Sequence, residues 1–456
     1  MTKIVTAWYL TLFVCMSCQN KQNEKQVTKP VHLVTLDPGH FHAALVQKTM
    51  YESVDSIVHV YAPSGPDLQL HLDRINAFNS RQENPTHWKE EVYDSEDFFE
   101  EMLAEKTGNV VVLAGNNRKK TEYIHRSLKA GFNVLADKPM AVTAEGFQIL
   151  EDAFDVAKKN NLVLYDIMTE RFEITSILQR EFSLLPEVFG EMEKGSTDNP
   201  AVIKKGVHYF YKYVSGNILK RPPWFMDVAQ EGNGIVDVTT HLVDLVQWEC
   251  FPEQIIDYKK DIEVLKAKRW TTDMTLHEFN SITGLKTFPD YLKSIVKNDS
   301  VLGVYCNGEI NYQIKGIHAK VSVEWNYKAS VGGDTHYSIM RGTKASLVVR
   351  QDADENFQPT LYIEPKQNDA SYEAILLEQL KKIQDRYPGV ELKKINKSWL
   401  VTIPDKYKEG HEAHFARVTE NFLGYLQKGN MPAWEVPNML AKYYTTTKAL
   451  DLAVKK

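Results

Sequence analysis

The stretch Val110-Val111-Val112-Leu113-Ala114-Gly115-Asn116-Asn117, then a helical pattern as far as Ala130-Gly131, then Phe132-Asn133-Val134-Leu135-Ala136-Asp137-Lys138-Pro139, decides how this chain is read. Two short apolar, β-branched runs separated by an amphipathic segment make one βαβ unit of a parallel sheet. Gly131 closes the intervening helix as a left-handed cap. The same alternation extends to both sides and predicts strands at residues 31–36, 56–62, 109–113, 132–135 and 162–165, with helices at 95–105 and 117–130.

Beyond residue 170 the pattern changes. Residues 234–248 read as helical, while Val321, Val323, Trp325 and Tyr327, and again Ala345, Leu347 and Val349, alternate as strands covered on one face do. Two helical patterns close the chain, carried by Phe415, Val418, Phe422 and Leu426 and by Leu440, Tyr443, Thr447 and Leu450. The fold class expected is α/β: a parallel-sheet domain at 31–168, then an α+β domain at 169–456 on a large, mainly antiparallel open sheet. Residues 368–397 are charged and read as an irregular insertion.

At 456 residues, 43% hydrophobic and 25% charged, the chain is ordinary globular material with enough length for two cores. The net charge of −6 comes from well-mixed charges without a long basic run, which excludes nucleic acid as the expected partner. Lys3 precedes an apolar run, residues 4–16, too short to span a bilayer but suited to the core of a signal peptide. Ser17-Cys18 and the polar residues after it read as a lipoprotein signal (1–18) and tether (19–30), with Cys18 lipidated; a simple cleaved secretory signal is the alternative. Either way the protein is expected to be exported, periplasmic or at the cell surface, and to touch membrane only through that anchor. Cys250 and Cys306 lie in apolar contexts and read as core residues, their spacing carries no zinc signature, and no metal is expected.

The turn after the first strand, Asp37-Pro38-Gly39-His40-Phe41-His42, keeps one of the three glycines of a G-x-G-x-x-G dinucleotide fingerprint. It reads either as a cofactor loop or as an ordinary strand-to-helix turn capped by His40 and His42. Residues 61–64 lack the carboxylate that would bind a ribose, so NAD and NADP are not separated, with NAD the weakly favoured of the two. Further on, Gly232-Asn233-Gly234 leads to Asp237, His241 and Asp244, whose i, i+4 and i+3 spacings put two carboxylates beside an imidazole on one helix face. Lys, Asp and His together are what proton removal from a hydroxyl during hydride loss requires. His411-Glu412-Ala413-His414 is one residue short of a metalloprotease H-E-x-x-H, and Tyr444 with Lys448 reads as helix packing.

The order of strand, Asn116-Asn117 turn, helix, strand and Asp137-Lys138-Pro139, joined to the Gly234 to Asp244 island, resembles the glucose-fructose oxidoreductase, inositol dehydrogenase and rhizopine catabolism protein (Gfo/Idh/MocA) family. Asp137 stands where that family has Glu, while Lys138 and Pro139 match, a pair often joined by a cis peptide there. The resemblance implies a Rossmann domain that binds NAD or NADP through Gly39, His40, Phe41, His42, Asn116, Asn117, Asp137, Lys138 and Pro139. It implies that His241 acts as base on a sugar hydroxyl, that Asp237 orients it and that Lys138 holds the reacting oxygen. Arg171, His208, Tyr209, Arg221, Trp224 and Asp244 are the expected substrate contacts, and a homo-oligomer is expected. The function expected is NAD(P)-dependent oxidation of a ring hydroxyl of a sugar or glycoside with a bound, internally recycled cofactor, because no free nicotinamide pool exists outside the cytoplasm. A redox-assisted glycoside hydrolase or epimerase of the same family, and a non-catalytic surface carbohydrate-binding protein, are the alternatives.

Overall fold

The computed structural model describes residues 30–455 apart from 215, 216, 299, 368 and 430, and the backbone alone at 214 and 217. The signal segment, Cys18 and most of the tether lie outside the described residues. Six strands, β1 (Leu33–Leu36), β2 (Ile57–Ala62), β3 (Lys89–Asp94), β4 (Val110–Leu113), β5 (Asn133–Asp137) and β6 (Leu164–Ile167), form one sheet in the order β3-β2-β1-β4-β5-β6, every pair parallel. The central strands read as unbroken apolar runs because helices cover both faces. The covering helices are α1 (His42–Val46), α2 (Pro66–Ser80), α3 (Phe98–Glu105), α4 (Lys120–Ala130) and α5 (Ala144–Asn160). Gly131 ends α4 at φ +99°, the left-handed cap expected there. Strand order reverses between β1 and β4, and in open α/β sheets ligands bind in the crevice above that point.

The rest of the chain builds a second sheet around β7 (Val202–Tyr211). Across it the order is Ile262–Thr275, Val301–Ile314, Ile317–Lys328, β7, Thr335–Arg341, Ala345–Gln351, Thr360–Pro365, Ser398–Thr402 and Glu391–Ile395. All neighbours are antiparallel except β7 and Ile317–Lys328, which pair in parallel from Val202 opposite Ala319. Helices α6 (Ile174–Ser183) and α7 (Thr239–Cys250) pack against this sheet and share its core. Residues 369–397 are regular, not the irregular insertion expected: a helix, Ala370–Gln384, packs Tyr372, Leu376, Leu380 and Ile383 inward, and Glu391–Ile395 is the edge strand. Its charges lie on the solvent side, which hid the apolar spacing beneath them.

The two domains share more than a hinge. Helices His411–Lys428 and Glu435–Val454 return to the parallel-sheet domain, and their Phe415, Val418, Phe422, Leu423, Met439 and Tyr443 belong to the same core as Val111, Leu135 and Leu164.

Candidate active site

Three C-terminal strand ends and one turn from the second domain converge at the crevice. After β5 comes Lys138, joined to Pro139 by a cis peptide. Its Nζ donates to Asp237 Oδ1 at 2.5 Å, with the two side chains only 10% and 7% exposed. Burial, the largest influence on the ammonium, pulls its pKa down, but Asp237, Asp137 and Glu231 together outweigh it and hold it above the ordinary value. Lys138 is therefore a fixed cation and donor, unsuited to act as a base.

What brings Asp237 there is the turn before α7. Gly234 donates its N–H to Tyr305 O at 3.0 Å, and a Cβ added to it would lie 1.7 Å from Cys306 O. Only glycine lets this turn press so closely onto the strand Val301–Ile314. The sequence reading is corrected in one respect: α7 starts at Thr239, so Asp237 precedes the helix and binds Lys138 rather than His241. His241 stands in the first turn of α7 with its buried Nδ1 unpartnered. Desolvation, then Lys138 and His411, hold its imidazole well below the usual range, so it is neutral, with one ring nitrogen able to accept.

The loop after β1 forms the floor. Asp37 takes φ +49°, and a Cβ on Gly39 would approach Trp224 Cζ2 to 3.0 Å and Asp67 Oδ2 to 3.1 Å. Trp224 Nε1 donates to that same Asp67 oxygen at 2.7 Å. Asp67 lies in the first turn of α2, the helix that follows residues 61–64. His42 Nδ1 is hydrogen-bonded to Asp137 Oδ2 at 2.9 Å, and the rings of His40, Phe41 and His42 lie against one another with centroids 4.0 to 4.6 Å apart. Asn116 Nδ2 donates to Gln230 Oε1 and Asn117 Nδ2 to Glu231 O, both at 2.7 Å, so the turn after β4 grips the second domain.

The expected substrate residues divide into two groups. Arg221 is buried, donates to Phe210 O at 3.2 Å and lies 4.6 Å over the Phe225 ring and 5.2 Å over that of Trp325. His208 packs on the same Trp325 and is hydrogen-bonded to Asp334 Oδ2 at 3.0 Å; Tyr209 follows it on β7, its carbonyl facing Arg221 Nη2 at 3.4 Å. Trp224 covers Gly39. Arg221, His208 and Trp224 gather with Phe225 and Trp325 on one face of the second sheet, whereas Tyr209, next to His208 on the same strand, turns its side chain to the opposite face and offers only its carbonyl. Arg171 and Asp244 do not join them. Arg171 clamps Asp244 through two 2.7 Å bonds and reaches Glu435 at 3.1 Å, while Lys442 Nζ lies 2.7 Å from both Asp244 and Asp166. All five side chains are buried, and the cluster bolts β6, α7 and the last helix together; its donors and acceptors are spent on one another.

Sequence reasoning passed over Glu231. It is 7% exposed beside Lys138 and Asp237, and burial followed by Asp237 pushes its carboxyl well above the carboxylate range. His411, from the set-aside H-E-A-H, also reaches the crevice: its ring is 6.0 Å from that of His42 and its Nε2 3.3 Å from Thr169 Oγ1.

These residues fit a dinucleotide. Gly39, with Trp224 and Asp67 packed on it, sits at the strand-order reversal, and Asn117 Oδ1 and His241 Nδ1 are buried polar atoms without a protein partner.

Comparison with known proteins agrees. Residues 39–165 match the family model "Oxidoreductase family, NAD-binding Rossmann fold", and residues 178–454 match "Putative oxidoreductase C terminal domain". A crystal structure of a "putative oxidoreductase" from Parabacteroides merdae is 57% identical, with TM-score 0.92, over 94% of this chain and 98% of that one. An uncharacterised oxidoreductase of Schizosaccharomyces pombe is 26% identical over 147 residues, 32% of this chain and 35% of that protein's length. The fold recurs in levoglucosan dehydrogenase, solved with NADH and L-sorbose (11% identity, TM-score 0.61, 94% and 97% covered). It recurs too in KijD10 of Actinomadura kijaniata, a 3-ketoreductase solved with NADP and TDP-benzene (14%, TM-score 0.53, 91% and 95% covered). With strands, cis Lys138–Pro139 and both domain models in agreement, the chain belongs to the Gfo/Idh/MocA oxidoreductase family, and its first domain is that family's NAD-binding unit.

Proposed function

We propose that this protein oxidises a secondary hydroxyl on the ring of a sugar or glycoside and that the nicotinamide cofactor stays bound between turnovers, reduced by that hydroxyl and reoxidised by returning the hydride to a carbonyl carbon of the same or a second sugar. The observation that carries the reading is the Lys138–Asp237 contact at 2.5 Å across the two domains, one helical turn before the open Nδ1 of His241. NAD or NADP, when bound, supplies the hydride acceptor. Gly39, Asn117 and the Asp137-Lys138-Pro139 turn are the residues placed to hold it. His241, neutral and with a free acceptor, takes the hydroxyl proton at Nδ1. Lys138, kept charged by Asp237, donates a hydrogen bond to the substrate oxygen as negative charge gathers on it. Asp237 thus positions and charges the lysine, a different role from the one its spacing to His241 suggests.

The sugar class is supported by the wall of Trp224, Trp325, Phe225, Arg221 and His208, aromatic faces with fixed donors between them. L-sorbose, the ligand named with levoglucosan dehydrogenase, is of the same kind. Export with lipidation at Cys18 is the companion proposal, and it is what makes retention of the cofactor necessary. Native mass spectrometry of the mature protein tests the reading, with about one nicotinamide nucleotide expected per chain. His241→Ala is expected to keep the nucleotide and to lose sugar oxidation by roughly 100-fold or more. Protein that neither retains nor takes up NAD or NADP would refute the proposal, as would undiminished oxidation by the variant.

A further inference from the structure

We infer that His40, His42 and Asp137 form a site for one divalent transition-metal ion of the zinc type, at the junction of the β1–α1 loop and the end of β5. Each residue offers one ligand atom, and those atoms lie within 4.8 Å of one another. Nδ1 of His42 is 2.9 Å and Nδ1 of His40 is 3.9 Å from the same oxygen, Asp137 Oδ2. With zinc-to-ligand bonds of about 2.0–2.2 Å, two atoms on one ion sit roughly 3–4 Å apart, and the two histidine-to-carboxylate distances, 2.9 and 3.9 Å, lie at the ends of that range. Two imidazoles and a carboxylate are a donor set for borderline cations, and three protein ligands leave a position open, as catalytic zinc sites do.

A plain His–Asp hydrogen bond explains only part of this. It accounts for His42, but not for a second imidazole brought edge-to-face at 4.0 Å and aimed at the oxygen already in use. His40 Nδ1 has one other contact, the backbone N–H of His42 at 3.3 Å, a long bond that a cation would displace at little cost.

The nearby cations are engaged elsewhere. Lys120 Nζ donates to the backbone oxygen of Asp137 at 3.2 Å, and Lys138 is held by Asp237. The Asp137 carboxylate therefore faces the two histidines. Both histidines occupy the turn where the nucleotide fingerprint carries small residues, so an ion there would clip a glycine-poor loop onto β5. Its binding free energy would add directly to the stability of that loop.

The test needs no enzymatic activity. Chelator-stripped full-length protein is titrated with Zn2+ and, as a spectroscopic probe, with Co2+, and retained metal is counted after gel filtration. About one ion per chain is expected, with visible Co2+ ligand-field bands of nitrogen and oxygen ligation and a higher melting temperature on loading. His40→Ala/His42→Ala should weaken binding by more than the roughly 10–100-fold that loss of an outer-shell partner costs. His125→Ala, on the far surface of α4 beside Asp152, should bind as the parent does. Substoichiometric retention of every ion tried, or unchanged retention by the double variant, overturns the inference. If the double variant does not fold, the Co2+ spectrum of the parent protein decides alone. NAD binding is measured separately on the stripped protein, so failure of the metal site and failure of the dehydrogenase reading remain distinguishable.

Discussion

Replacing Lys442 by Met should loosen the coupling between the two domains and lower the melting temperature. The ammonium is wholly buried and lies 2.7 Å from Asp166 Oδ2 on β6 and 2.7 Å from Asp244 Oδ1 on α7. After its loss Asp244 keeps the two-pronged grip of Arg171, whereas Asp166 keeps only the Tyr443 hydroxyl at 2.8 Å. The penalty therefore falls on Asp166, and breaking one partner out of a buried pair costs about 3–5 kcal/mol. For a chain this long, at about 2 °C per kcal/mol, the melting temperature should fall by roughly 6–10 °C. Scanning calorimetry should show more than the fall: the join between the sheets is left to Arg171 and the shared apolar core, so the endotherm should broaden. Lys204→Met is the comparison, because Lys204 pairs with Glu249 at 2.6 Å, equally buried but wholly within the second domain. It should lower the melting temperature without broadening the transition. Adding Asp166→Asn to Lys442→Met should recover part of the loss by removing the orphaned charge. The reasoning fails if Lys442→Met melts within about 1 kcal/mol of the parent, or if Asp166→Asn makes it worse.

Two further outcomes follow from the crevice. Burial, then Asp67, pushes the Asp37 carboxyl up from 3.8 to about 6, so the protonated form favours folding, and that contribution is present at low pH and lost as pH rises through about 6. Asp37→Asn should raise the melting temperature relative to the parent at pH 8 and leave the difference small at pH 4; an equal difference at both would refute this. Gly234→Ala should cost several-fold more stability than any other alanine at a described glycine of the open type, since its Cβ would strike Cys306 O, whereas Gly424→Ala, with open space on the helix His411–Lys428, should stabilise by up to about 1 kcal/mol in denaturant melts.

The first sheet was legible because its central strands are buried on both faces and so carry unbroken apolar runs. The edge strand Lys89–Asp94 escaped because it is largely exposed and its sequence, Lys-Glu-Glu-Val-Tyr-Asp, lacks that signal. Lys138 and Asp237 were visible as residues, but not as a pair. Helical spacing assigned Asp237 to His241, and only the press of Gly234 onto Cys306 sets where α7 starts. Arg171 and Asp244 carried the right chemistry for a ligand site, yet their partners, Glu435 and Lys442, lie nearly two hundred residues or more along the chain, beyond any local pattern. Glu231 offered no motif at all; burial beside two like charges makes it unusual, and burial is a property of the folded chain.

The return of the last two helices into the first core has a consequence for synthesis. A ribosome finishes the parallel-sheet strands by Ile167, but the surface around Val111, Leu135 and Leu164 stays open until Phe415 to Tyr443 emerge. The domain that is made first is sealed last, so the nascent chain is held short of its native state for most of its translation. A fragment ending after β6 would expose that same face to solvent and invite association with its own kind.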